Sequence, residues 1–414
     1  MELVLGKLHG KKKFSRLWPP ILIRWGRFPV VSNDAALQAG LVATLGDLIA
    51  TPSVTPPSDT RAVCAYLADR LKPMGFDVET LSRAPGVDNV VARAGAGAPQ
   101  IVFNCHIDTV GGGAVENWQS DPFVATLRDG AVYGLGANNC KGSTAVHLAV
   151  AEALMRSGGP QRGEVVFTFV GDEERLGADG LAFLREAGAV RPDILVVGGP
   201  TQNRLITEER GVMWARITTT GTAAHAGEPQ AGDNAVLRMV RLLAHLDREM
   251  TSRLGERIAG AKRSTLNIGR IDGGQGANVV PSFCALDLDR RLLPSERVDD
   301  AFSEITDIVA MVGEPEGTWA TELQLGTNGY AVSREGPGVV ALSKAIETVS
   351  GHPAAYAEAL GVSDGRFFAD DKIEIVGFGP GDGATSHAPN EHVPVDELVA
   401  ATHILDHALK TLVG

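Results

Sequence analysis

Three short stretches of this 414-residue chain combine side chains able to move protons or hold a cation. In FNCHIDTV, His106 and Asp108 stand two apart at the end of an apolar run, a spacing that puts both on one face of a strand. A histidine that ligates a metal needs its second ring nitrogen fixed, and a carboxylate commonly does this. An isolated H-x-D pair is nevertheless more often structural. In VVFTFVGDEERLG, Asp172, Glu173 and Glu174 follow a second apolar run. Adjacent carboxylates repel unless a cation or proton sits among them, although a solvated acidic turn is the plain alternative. Near the C-terminus, GDGATSHAPNEHV places His387 in a glycine-rich loop after a third apolar run.

These stretches need a scaffold, and the hydrophobic pattern supplies one. Helix-like segments begin after Asn33 and Asp34 and again in DTRAVCAYLADRL. Short Val/Ile/Phe runs (DNVVARAG, QIVFNCHID, GEVVFTFV, DILVVGG) then alternate with amphipathic helices. This alternation predicts an α/β fold, a sheet flanked by helices on both faces. Ligand chemistry in such sheets sits at the carboxyl ends of strands, where the three motifs fall. From about residue 210 the order becomes β-α-β-β-α-β, a ferredoxin-like unit. The expected organisation is 1–33 as a basic extension, 34–209 with 327–414 as the main domain, and 210–326 as an insertion.

Composition narrows the function classes. A net charge of −12 argues against non-specific nucleic-acid binding. No apolar run is long enough to span a membrane. Residues 1–33 carry seven basic residues against one acid, with prolines and an arginine in WPPILIRW where an export signal needs an apolar core. Four scattered cysteines without a CxxC pairing fit reduced thiols and a cytoplasmic location.

From about residue 36 to the end, the chain resembles the zinc-dependent family that includes acetylornithine deacetylase, succinyl-diaminopimelate desuccinylase, aminoacylase and glutamate carboxypeptidases. The resemblance rests on HID, W..DPF…DG..YG.GA..CKG, DEE, a G-P-T turn, G.AAH..P..G.NA, NVVP, D.R..P, SDGRFF and H.PNE, in that order. It implies that the insertion is a lid, that His106 ligates one zinc and that Glu174 and His387 ligate another. It implies Glu173 as general base, Asp108 as the group orienting His106, and His225 as an oxyanion stabiliser contributed across a homodimer. Asn278 and Arg291 would bind the substrate, the arginine holding a carboxylate, and Gly361, Ser363 and Arg366 would line the pocket.

The pattern breaks at the metals. Asn139 in GLGANNCKG stands where the family has a bridging aspartate, Gly199 in GGPT stands where it has a glutamate, and Val362 replaces a threonine. Two divalent ions about 3.5 Å apart repel by ~20 kcal/mol at an effective dielectric of 20. The chain keeps one of the three ligating carboxylates, Glu174. The expectation is therefore one zinc rather than two, on Glu174 and His387 with Asn139 oxygen or water, or none. Cys140 is a substitute thiolate ligand or, more ordinarily, a small buried hydrophobe. Three functions follow: a one-metal hydrolase of an amide bond in a small N-acyl amino acid or dipeptide-like substrate; a retired binding or regulatory homologue; or an acyltransferase or condensing enzyme on the same scaffold.

Overall fold

The computed structural model describes residues 34–414 apart from 261 and 360; the basic extension expected at 1–33 lies outside them. In chain order the principal elements are α1 Ala35–Ile49, α2 Arg61–Leu71, β1 Asp77–Ser82, β2 Asp88–Ala96, β3 Gln100–His106, α3 Gly142–Arg156, β4 Gly163–Val170, α4 Leu181–Glu186 and β5 Ile194–Gly198. There follow β6 Gly211–Thr220, α5 Ala235–Gly255, β7 Thr265–Gly273, β8 Phe283–Leu292, α6 Val298–Ala310 and β9 Trp319–Thr327. The chain closes with α7 Pro337–Ser350, β10 Glu374–Phe378 and α8 Val395–Val413.

Six strands form a mixed sheet in the order β1-β2-β4-β3-β5-β10. Strands β4, β3, β5 and β10 run parallel, while β1 and β2 are antiparallel additions at one edge. Side chains alternate between two apolar layers. Phe103, Phe167, Phe169 and Val196 pack with α1, α2, α3, α7 and α8. Val102, Val166, Leu195 and Ile375 pack with α4 and Phe368 on the opposite face. A central strand buried on both faces reads as a continuous apolar run, which is why these strands stand out in the sequence.

Residues 211–327 form a four-stranded antiparallel sheet in the order β7-β8-β6-β9. Its own apolar cluster joins Met239, Leu242 and Leu246 of α5 to Ile305 and Ile308 of α6. This is the βαββαβ order read from periodicity. The strand β1 and the C-terminal helix α8 were not read from the sequence.

The first turn of α8 carries a testable electrostatic strain. Burial pushes the Glu397 carboxyl up from 4.5 to about 7, against the amide of Gly381 that donates to it at 2.7 Å. The folded state then holds its proton more tightly than the unfolded chain. Its stabilising contribution is complete below about pH 4.5 and is lost as pH rises through 7. Glu397→Gln should remove ~3 kcal/mol of the fall in unfolding free energy between those limits, measured by urea titration at several pH values. Parallel slopes for the two proteins would refute it.

Candidate active site

The parallel strands deliver their carboxyl ends to one edge. His106 ends β3 opposite Val170 of β4, and Gly198 of β5 lies beside Phe378 of β10. The turn after β4 carries Glu173 and Glu174, the turn after β5 carries Gly199, and the loop after β10 carries His387. Asn139 lies in the irregular turn Ala137–Lys141 that leads into α3. His106, Asn139, Glu173, Glu174, Gly199 and His387 line one cavity of about 570 Å³.

A continuous polar chain crosses the cavity floor. His106 Nε2 lies 3.3 Å from Asn139 Oδ1, and Asn139 Nδ2 donates to Glu174 Oε1 at 2.8 Å. His387 Nε2 meets the same Glu174 oxygen at 2.9 Å and lies 3.1 Å from Asn139 Nδ2. Glu173 Oε2 stands 3.9 Å from His106 Nε2. Ligand atoms of His106, Glu173 and Glu174 all lie within 4.8 Å of one another, a cluster able to hold one cation. His387 joins this cluster through Glu174 and Asn139, the pair of neighbours that the sequence reading gave it.

Charge explains the protonation pattern. Burial opposes the His106 imidazolium, yet Glu173, Asp108 and Glu174 hold its pKa well above the usual value. Burial drives the Glu173 carboxyl up, with His106 and Arg366 opposing and Asp364 and Glu174 reinforcing. The hydrogen bond to Glu174 raises His387, against burial.

Asp108 is fully buried and touches His106 through two groups. His106 Nδ1 meets the main-chain oxygen of Asp108 at 3.0 Å, closer than its carboxylate at 3.5 Å. That carboxylate also accepts from the amides of Glu173 and Glu174 at 3.3 and 3.2 Å, fixing the acidic turn. Glu391, of the H.PNE motif, clamps the Asn139 turn: its oxygens accept from the amides of Gly136, Asn138 and Asn139 at 3.0, 3.1 and 2.7 Å. Glu391→Gln would turn an N–H₂ group toward one of these donors. We expect a loss of ~1–3 kcal/mol in urea unfolding and lower activity; unchanged stability would show the clamp to be idle.

The remaining sequence-derived residues divide. Gly361 and Ser363 line the cavity, while Arg366 lies buried behind it, 3.7 Å from Asp364 Oδ1 and 3.9 Å from Glu173 Oε1. His225, Asn278 and Arg291 do not line it. The first two are exposed neighbours on the inserted unit, where the Ala226 amide donates to the Asn278 carbonyl at 3.0 Å. Arg291 pairs with Asp289 at 2.8 Å instead of facing the cavity. Sequence reasoning missed Glu209, Asp364 and Asn104 on the cavity wall. Asp364 lies within the SDGRFF motif and Asn104 within FNCHIDTV, so a signal for each was present; Glu209 had none.

Residues 102–411 match the family model described as peptidase family M20/M25/M40. A succinyl-diaminopimelate desuccinylase of Bordetella avium is 32% identical over 375 residues, covering 88% of this chain and 97% of that protein. An M20 family metallo-carboxypeptidase of Sulfolobus solfataricus superposes with a TM-score of 0.72 at 16% identity, covering 90% of this chain and 98% of that one. A dinuclear metal-binding M20 peptidase of Bacillus subtilis does so at 0.68 and 16%, covering 91% and 99%. At these identities the two structures establish the fold alone.

Proposed function

We propose that this chain, which belongs to peptidase family M20/M25/M40, cleaves the amide bond of a small N-acyl amino acid or dipeptide-like substrate with one divalent ion rather than two. By its family it is a metallo-amidohydrolase. The observation that carries the one-ion reading is the donor set. His106, Glu173 and Glu174 converge within 4.8 Å, but Asn139 turns an N–H₂ donor toward Glu174 and His387, and residue 199 has no side chain. Such a set can neutralise one divalent ion, with zinc the natural candidate for histidine and carboxylate ligands. It does not fit a pair.

Glu174, His106 and His387 would hold the ion, which when bound supplies a Lewis acid beside the scissile carbonyl. Glu173 takes a proton from the attacking water and returns it to the departing nitrogen. Burial raises its pKa above the usual carboxylate value, which makes it a stronger base than an exposed glutamate. Asp108 keeps Glu173 and Glu174 in register through their amides. Ser363 and Gly361 shape the wall against which the substrate lies.

His225 and Asn278, exposed on the inserted unit, would act on a substrate only after that unit closes or a second copy presents them. A homodimer through the insertion suits this reading, and Leu237 and Val240, exposed on α5, support it. Among the described residues no helix is long and apolar enough to cross a membrane, and we place the enzyme in the cytoplasm.

The test is a zinc-loaded sample assayed on a panel of N-acyl amino acids and dipeptides, alongside metal analysis. Hydrolysis with at most one ion per chain is expected. Absence of both activity and metal would favour the retired binding homologue.

A further inference from the structure

The cavity wall carries a carboxylate that the reaction does not use. Glu209 is only 3% exposed and lines the cavity just before β6 begins. Ser363 fixes its orientation, donating from its amide to Oε1 at 2.8 Å and from Oγ to Oε2 at 2.7 Å, with the Tyr330 hydroxyl adding a longer bond to Oε2 at 3.4 Å. Oε1 therefore keeps an acceptor position open. Among the described residues no Lys, Arg or His nitrogen lies within 4 Å of this carboxylate. A buried carboxylate without a cation is costly and uncommon. Burial accordingly raises the Glu209 pKa, against Ser363 and a more distant Arg366.

The rest of the lining brings no cation to Glu209. Five further acids face the cavity, Glu173, Glu174, Glu358, Asp364 and Asp382, against one arginine, Arg204, and two histidines, His106 and His387, that belong to the Glu173–Glu174 cluster. Arg204 is turned to the Thr201 carbonyl and to Gln202. Arg291, expected to bind a substrate carboxylate, is paired with Asp289.

We propose that Glu209 is a specificity-determining residue, and that the group a substrate places against it is a cation, a primary ammonium or guanidinium. This rests on the reading of the cavity as the substrate cavity. A ligand cation at Oε1 offsets the burial of the carboxylate, whereas a neutral chain of equal length leaves it unpaired.

The test compares L-ornithine with its neutral isostere L-norleucine by calorimetric titration, and their Nα-acetyl forms in the hydrolysis assay. The wild type should bind ornithine about tenfold or more tightly than norleucine, a charged hydrogen bond being worth that much. Glu209→Gln should bring the ratio close to one while leaving norleucine affinity unchanged; Glu209→Asp should keep part of the preference. Equal wild-type affinities, no binding of either amino acid at millimolar concentration, or a Glu209→Gln loss shared by both ligands would overturn the proposal, the last assigning Glu209 to holding the Ser363 loop. The wild-type comparison stands even if the Gln variant does not fold. Ornithine preference without hydrolysis of any panel member would retire the proposed reaction and leave the cation subsite in place; hydrolysis without preference would do the reverse.

Discussion

Replacing Asn139 by Asp and Gly199 by Glu together should raise the zinc content from at most one ion per chain to about two. The structure has room for both changes. A Cβ built at Gly199 meets nothing within 4 Å, and the residue lines the same cavity as His106, so a side chain can start there without a clash. At 139, the change exchanges an N–H₂ donor, 2.8 Å from Glu174 Oε1, for an oxygen. Without metal, that oxygen would confront Glu174 as a second acceptor, and the two carboxylates would repel. The double variant should therefore be less heat-stable than wild type in chelator. Zinc should then raise its melting point strongly, since a ligand at a hundred times its dissociation constant contributes ~2.7 kcal/mol to folding. Emission spectroscopy after dialysis against buffered zinc reads the stoichiometry, and calorimetry with and without chelator reads the linkage. Two tightly held ions in the unmodified protein would end the one-ion argument, because the charge deficit at 139 and 199 would then have no consequence.

How far the sequence leads depends on the distance over which a contact acts. Strands β3, β4 and β5 are legible because burial on both faces makes them apolar throughout, and the chemical residues follow directly at their ends. Strand β1, DVETLS, is largely exposed at the sheet edge and carries no such signature. The H-x-D spacing correctly places Asp108 beside His106, but which of its oxygens meets the ring depends on where the amides of Glu173 and Glu174 arrive, 65 and 66 residues later. Glu209 is held by Ser363, 154 residues away, and nothing local marks it. Motif order could assign His225, Asn278 and Arg291 to a site, but their distance from the cavity floor depends on the placement of the inserted unit. Local periodicity carries no information about that placement.

Glu173→Gln should lower kcat by about 10²–10⁴-fold while zinc content and KM stay near those of wild type. The measurement separates two roles that geometry leaves side by side. Glu173 lies close enough to His106 and Glu174 to be a metal ligand, yet it also projects into the cavity where a base is needed. Glutamine keeps the shape of the side chain, whose carboxylate stands 3.9 Å from His106 Nε2 and 3.9 Å from Arg366 Nη1. The amides of residues 173 and 174 remain held by Asp108, so the turn should not move. A ligand role predicts a drop in bound zinc with activity falling in proportion, restored by raising the zinc concentration. A base role predicts full zinc occupancy and a slow turnover that no added metal restores. Activity within about threefold of wild type would mean that another group takes the proton. His387, half exposed on the far side of Glu174, would then be the next residue to replace.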